Sequence, residues 1–296
     1  MPIETTFLES RMRRACELRL QLMDESMNYF RRSPIKTFST REQGSLNFYA
    51  NHTEPYPELI SHLFGEWLYQ SRAALDGVVY QLAIHDTKSN PPPAARRWQY
   101  PIFGKKEDFD KNKDIQRLDE WTINALSMTQ PFRIPTNIKG HSLWWLNELA
   151  RIDRHRNHHT FSSRINELMF DIPNALLEFM DIPKARICDK ETTLVDHTEP
   201  TWLASIPIKS KGLPHNPIPI KVSIKSTCEI PYWLNNVTPS YRWKLDERMR
   251  SVEDNVSGVI QFFKNNVDSR PKLDSIVPYT DGEWRPGTEP LPKNPN

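Results

Sequence analysis

The stretch ELISHLFGEWLYQSRAALDGVVYQLAIHD, residues 58–86, constrains the chain more than any other. At 100° per residue, Ile60, Leu63, Phe64, Trp67, Ala74, Leu75, Val78 and Leu82 fall on one broad face of a long helix. A face that wide needs cover from more than one neighbouring helix. The chain supplies candidates. Residues 6–31 place Leu8, Met12, Ala15, Leu22 and Met23 near helical spacing, and Pro34 stops the run. Residues 115–128 predict a short third helix and 141–159 a fourth, with Ser142 as N-cap. The polar segment between Pro34 and residue 57 reads as a loop, and the triple proline at 91–93 opens another.

The texture changes after Phe161. In IPIKVSIKS, Ile218, Ile220, Val222 and Ile224 alternate with Pro219, Lys221, Ser223 and Lys225, the period of a strand with one wet face. WLASIPIK (202–209) and TTLVDH (192–197) are weaker strand candidates, so a small antiparallel sheet is expected over about 165–235. From 245 to 267, Leu245, Met249, Val252, Val256, Val259, Phe263 and Val267 return to helical spacing and must pack on something, most economically the bundle. The expected class is α+β: an N-terminal four-helix bundle over 1–165, a small antiparallel sheet plus a closing helix over 166–267, and a flexible proline-rich tail over 268–296.

Composition narrows the function. Thirty-nine basic against 37 acidic residues leave a net charge of +2, so any nucleic acid or anionic surface must be met by a local patch. Cys16, Cys188 and Cys228 are far apart and form no C-x-x-C pair, which suits a reducing compartment. The N-terminus has no apolar leader core, and no stretch approaches the roughly 18 apolar residues of a membrane span. A cytoplasmic protein without membrane contact is expected, and the glycosylation-type triplets at Asn51, Asn236 and Asn255 then carry no meaning. With nine glycines, the chain offers neither a glycine-rich phosphate loop nor a G-x-S-x-G elbow.

The densest chemistry is RIDRHRNHH, residues 151–159, which holds three of the nine histidines. Continuing the fourth helix through it separates two sets. Asp153 and Arg156 fall on the side of the apolar stripe formed by Leu143, Trp145, Leu146, Leu149 and Ala150. Charges near a core are tolerated when paired, and Arg72 with Asp76, four residues apart on the long helix, are the expected mates of a structural latch. Arg151, Arg154, His155 and His158 fall on the opposite side, with His159 at the border. A metal site from Asp153, His155, His158 and His159 would have helical spacing but lacks H-E-x-x-H, and the arginines repel a cation; no metal or cofactor is expected. Glu66 and His62 could complete an acid–base site or simply belong to a polar face. Trp144 and Trp145 read as packing anchors.

Arg154, His155 and His159 form an Arg-polar-x-x-x-His pattern that resembles the signature of HEPN domains, four-helix ribonuclease-type bundles. The resemblance covers about residues 1–165. It implies a HEPN-like, metal-independent endoribonuclease, in a bacterial defence or toxin setting. The candidate catalytic residues are Arg154, His155, His158 and His159, with Arg151 and Glu66 toward substrate. In that family the histidine handles a proton of the ribose 2′-OH or leaving oxygen and the arginine steadies charge on phosphate. The products carry a 2′,3′-cyclic phosphate and a 5′-OH. RNA would be the partner, and a homodimer through the fourth-helix face would bring two sites together. The extra Arg151, Arg156 and His158 depart from the pattern and leave pairings such as Arg151 with His158 open. Over more of the chain, SRAALDGVVYQLA, YPIF, TQPF and LWWLNELARIDRHR look like an uncharacterised family of bacterial proteins, a resemblance that implies architecture and origin but no reaction. The alternative is a non-catalytic helical scaffold or interaction protein whose cluster is a latch and dimer seam.

Overall fold

A computed structural model of the chain describes residues 3–155, 158–190, 192–209, 220–236 and 243–273. In chain order the elements begin with helix α1 (Thr6–Arg31), strands β1 (Ile35–Glu42) and β2 (Ser45–His52), and helix α2 (Glu58–Thr87). Helices α3 (Lys106–Asp110), α4 (Glu120–Met128) and α5 (Ser142–His155) follow, then strand β3 (Ser162–Asp171) and the one-turn helix α6 (Asn174–Leu177). Strands β4 (Arg186–Ile187), β5 (Leu194–Val195), β6 (Thr201–Pro207) and β7 (Lys221–Glu229) precede helices α7 (Pro231–Asn236) and α8 (Leu245–Asn266). They divide into two compact units interleaved along the chain. One takes residues 1–19, 65–157 and 246–296; the other takes 20–64 and 158–245.

The first unit is helical among the described residues. Leu75, Val78, Val79 and Leu82 of α2 are buried, as are Leu143, Trp145, Leu146 and Leu149 of α5 and Met249, Val252, Val256 and Phe263 of α8. Asp119 caps α4, its carboxylate accepting from the Thr122 amide at 3.1 Å, which satisfies a donor the helix start leaves open. In the middle of this core Arg19 of α1 donates through Nε to both carboxylate oxygens of Glu253 on α8, at 3.1 and 3.0 Å. Trp67 Nε1 of α2 donates to the same carboxylate at 2.8 Å. Burial raises the Glu253 carboxyl above its ordinary range, against the pull of Arg19. Asp246 closes the cluster on the Arg19 Nη1 side.

The second unit holds two antiparallel sheets, of strand order β1-β2-β6-β4 and β5-β3-β7. The β1–β2 hairpin turns on Gln43 and Gly44, both at positive φ (49° and 74°), as a two-residue primed turn requires. Every second residue of β2 (Leu46, Phe48, Ala50, His52) points inward. There Leu46, Phe48 and Ala50 join Leu203, Ala204 and Ile206 of β6 and Ile165 and Leu168 of β3 in one apolar cluster. Phe48 meets Phe170 edge-on at 5.1 Å. Beside that cluster, Tyr29 of α1 donates to the Glu54 carbonyl at 2.6 Å and lies 2.6 Å from His52 Nδ1. The buried Nε2 of His52 has no side-chain partner of good geometry among the described residues.

The expected N-terminal HEPN-like four-helix bundle does not form. The segment after Pro34, read as a loop, is the β1–β2 hairpin. The third-helix stretch opens with a 3-10 turn at Ile115–Arg117, and only Glu120–Met128 is α-helical. The fourth helix, expected through residue 159, ends at His155. In place of one small sheet there are two, and the larger takes two strands from the N-terminal half. The physical reason is the alternation in β2, which asks for a buried sheet face and commits residues 35–52 to the β core. The strand expected from 218 is found from Lys221; Ile218 and Pro219 lie outside the described residues, as does the expected tail beyond residue 273. Among the described residues no helix is long and apolar enough to cross a membrane.

Burial lowers His52 to about 4 from an ordinary 6.5, because protonation would place a charge in the interior, and Asp196 and the Val195 backbone oppose that shift only in part. The folded state therefore refuses a proton that the unfolded chain takes up. The stability this group contributes is complete above pH 6.5 and is lost as pH falls toward 4. Denaturant midpoints measured across that window should show the loss, and His52→Gln should flatten it. An unchanged slope in the variant would show that His52 is not the group responsible.

Candidate functional site

Four of the residues singled out above meet at one place in the helical unit. Arg72 and Asp76 of α2 and Asp153 and Arg154 of α5 line a pocket of about 150 Å³, walled otherwise by Leu68, Tyr69, Ala73 and Ala150. The helical period creates it. Residues 68, 69, 72, 73 and 76 follow the i, i+1, i+4 pattern of one face, and 150, 153 and 154 repeat it on α5. Two alanines leave the space. Tyr69 and Arg154 are exposed, so the pocket reaches the surface.

Arg72 is its unusual member, only 8% exposed. Nη2 donates to the Tyr100 carbonyl at 2.7 Å and lies 3.1 Å from Asp76 Oδ1. Asp76 Oδ1 also accepts from the Tyr100 amide at 2.9 Å. Arg72 Nε and Nη1 are buried and have no hydrogen-bond acceptor among the described residues. Burial pulls this guanidinium below the usual arginine range; Asp76 opposes that pull and nearby Arg154 adds to it. An arginine held this way has more N–H groups than its described neighbours satisfy.

Asp153 lies against α2 at its glycine. A Cβ built on Gly65 would sit 3.2 Å from both Asp153 carboxylate oxygens, so the absence of a side chain at 65 lets the carboxylate approach the helix. Arg156, expected to pair with Asp153, lies outside the described residues. The Arg72–Asp76 pair of the expected latch is present as an i,i+4 ion pair.

The proposed catalytic residues are placed as follows. Arg154 and His155 end α5 in the helical unit and are exposed; Arg154 Nε donates to the Ala150 carbonyl one turn back at 3.1 Å. Arg151 is exposed and pairs with Glu148 at 2.8 Å. Glu66 is exposed, 3.7 Å from Arg14. His158 and His159 belong to the other unit and are not on the helix. His158 is exposed, and its ring meets His62 at 5.4 Å. His159 is 4% exposed; its ring stands edge-on to Phe64 at 5.2 Å, and its carbonyl accepts from Ser61 Oγ at 2.9 Å. The border position assigned to His159 assumed a helix that has already ended, so its wheel angle carries no information.

A second polar cluster escaped the sequence reading. At the end of α2, His85 Nδ1 faces Asp86 and His85 Nε2 faces Asp268, both at 3.2 Å. Arg270 donates to Asp86 and Asp119 at 3.0 Å each, and Trp121 Nε1 donates to the Pro271 carbonyl at 2.9 Å. Burial raises the Asp86 carboxyl, and its hydrogen bond with Asp119 raises it further. Burial also pushes on Asp119, but hydrogen bonds from Asp86 and Thr122 outweigh it and hold that carboxylate low. These charges satisfy one another and tie the residues after α8 to α2 and α4. The signal in the sequence was weak, because Asp86 and Asp119 are 33 residues apart and Arg270 lies in the proline-rich stretch. Among the described residues no group of three or more His, Cys, Asp or Glu is arranged to hold a metal ion.

Compared with protein-family models, with curated proteins and with solved structures, the chain matches none.

The Gly65–Asp153 approach is testable by a double-mutant cycle. Glycine to alanine inside a helix ordinarily gains about 1 kcal/mol. In the natural chain, Gly65→Ala should gain nothing, since the new methyl crowds both carboxylate oxygens. With Asp153→Ala already present, the same change should recover the gain, read as a higher denaturant midpoint. Equal gains in both backgrounds would show that Asp153 does not press on α2.

Proposed function

We propose that the chain is a non-catalytic binding protein that recognises a small anionic group in the Arg72 pocket. The observation that carries this reading is the buried guanidinium with Nε and Nη1 lacking acceptors, in the wall of a pocket that reaches the surface. A buried donor without a partner costs about 1–3 kcal/mol, more when charged, and an anion's oxygen relieves that cost on entry. The lining supplies guanidinium, carboxylate, phenol and aliphatic groups, and no imidazole or thiol. That composition serves recognition and offers no imidazole base or sulfur nucleophile.

A ligand that binds only the folded state raises stability by about 2.7 kcal/mol at a hundred times its Kd. Thermal unfolding in chloride, acetate, sulfate and phosphate at matched ionic strength should therefore show a rise in Tm with at least one anion beyond chloride. The rise should vanish in Ala73→Leu, which fills the pocket without touching Arg72. Identical melting in every salt would remove this reading.

A second reading, metal-independent cleavage of RNA, is favoured by the exposure of Arg151, Arg154, His155 and His158, whose guanidinium and imidazole groups suit a phosphodiester. It no longer draws on a four-helix frame, and the burial of His159 counts against that residue as its acid or base. Total RNA incubated with the protein and a chelator is the assay. Cleavage lost in Arg154→Ala and in His155→Ala, with cyclic phosphate ends, would support it. RNA left intact by the natural chain would count against it.

A further inference from the structure

Resting on the pocket reading above, we infer that the group bound beside Arg72 is the carboxylate of a small monocarboxylic acid with a short apolar body, and not a phosphate. Charge decides between the two. Arg72 and Arg154 contribute two positive charges to the lining, and Asp76 and Asp153 contribute two negative ones. The formal sum is zero, so the pocket is polarised without being cationic. A phosphate ester near neutrality carries about −1.5 to −2 charges, whereas a carboxylate carries one. Doubling the ligand's charge doubles its attraction to the two arginines and its repulsion from the two aspartates alike, and these offset each other in a neutral lining, while the cost of taking the ion out of water grows with the square of its charge. The monoanion keeps the contact to the guanidinium at the smaller desolvation cost.

Size and lining agree. A cavity of about 150 Å³ in an apolar protein interior accommodates a molecule of benzene, so the ligand body is of the order of six non-hydrogen atoms. A nucleotide is several times larger. Leu68, Ala73, Ala150 and the Tyr69 ring offer hydrocarbon surface, which rewards an alkyl chain or ring and gives a bare inorganic ion nothing to lie against. Arg154 sits exposed at the rim, where a flexible guanidinium can close over a carboxylate already engaged by Arg72.

The test is a calorimetric titration of the full chain at pH 7 and constant ionic strength, with sodium butyrate and inorganic phosphate as separate probes. Butyrate should bind saturably and at least about tenfold more tightly than phosphate, a difference of about 1.4 kcal/mol. Arg72→Lys should weaken butyrate by about tenfold, because an ammonium cannot reproduce the guanidinium contacts. That residue is buried, so Ala73→Leu serves as the second variant: it should abolish butyrate binding while circular dichroism shows an intact fold. If phosphate binds more tightly than butyrate and Ala73→Leu blocks it, the carboxylate assignment is overturned and the pocket reading survives. If neither probe binds, or both bind Ala73→Leu unchanged, both readings are overturned.

Discussion

The helical unit is organised around one buried charge pair, Arg19 with Glu253, and the helices that contribute to it have little freedom to pack otherwise. Apolar stripes on α2 and α8 would tolerate sliding by a turn, since leucine, valine and methionine faces are similar along their length. A guanidinium that donates to both oxygens of one carboxylate tolerates no such slip. Trp67 adds a donor from α2 to the same carboxylate, so α1, α2 and α8 are indexed to a single point. The net stability from such a pair is small, because desolvation offsets most of the Coulomb attraction, while removing one partner leaves a buried charge and costs about 3–5 kcal/mol. Its contribution is to select one register among several of similar hydrophobic energy.

That pair was hidden in the sequence for the same reason the long helices were visible. Periodicity reports which residues share a face, and the stripes of α1, α2, α5 and α8 repeat long enough to be read. Glu253 falls between Val252 and Val256, but nothing local distinguishes a glutamate that meets an arginine 234 positions away from one that faces water. The sequence reading therefore looked for the buried latch at Asp153, where charges were dense. The hairpin was missed differently. Leu46, Phe48 and Ala50 alternate as a buried strand should, but β1, which pairs with them, is mostly exposed and carries Lys36, Arg41 and Glu42. An outer strand of that kind has no pattern of its own, and the whole segment then resembles a polar loop.

The histidine stretch shows how far a helical wheel can be trusted. Asp153 is half-buried and Arg151 and Arg154 are exposed, but Arg154 lines the same pocket as Asp153 and Ala150 instead of lying opposite them. His158 and His159 are not helical, so the wheel would place them on a surface that does not exist. A sequence motif that depends on i,i+4 spacing is only as good as the helix that carries it. The Arg72–Asp76 pair, wholly inside α2, could be read from spacing; its partner Tyr100, supplied by the loop after the triple proline, could not.

Two of the arginines buried in the helical unit, Arg19 and Arg72, allow a final comparison. Arg19 has its Nε and Nη1 bound to carboxylates, and Nη2 lies 3.5 Å from Cys16 Sγ. Nothing further is asked of it, and it sits within a filled core. Arg72 is buried as deeply but is matched at Nη2 only, and it borders open space in place of packed side chains. Were its task structural, an aliphatic side chain of similar length would fill the site at lower cost, as buried ion pairs elsewhere can be replaced without loss. On the proposed reading, the donors that Arg72 leaves open are the ones an anion's oxygen would meet.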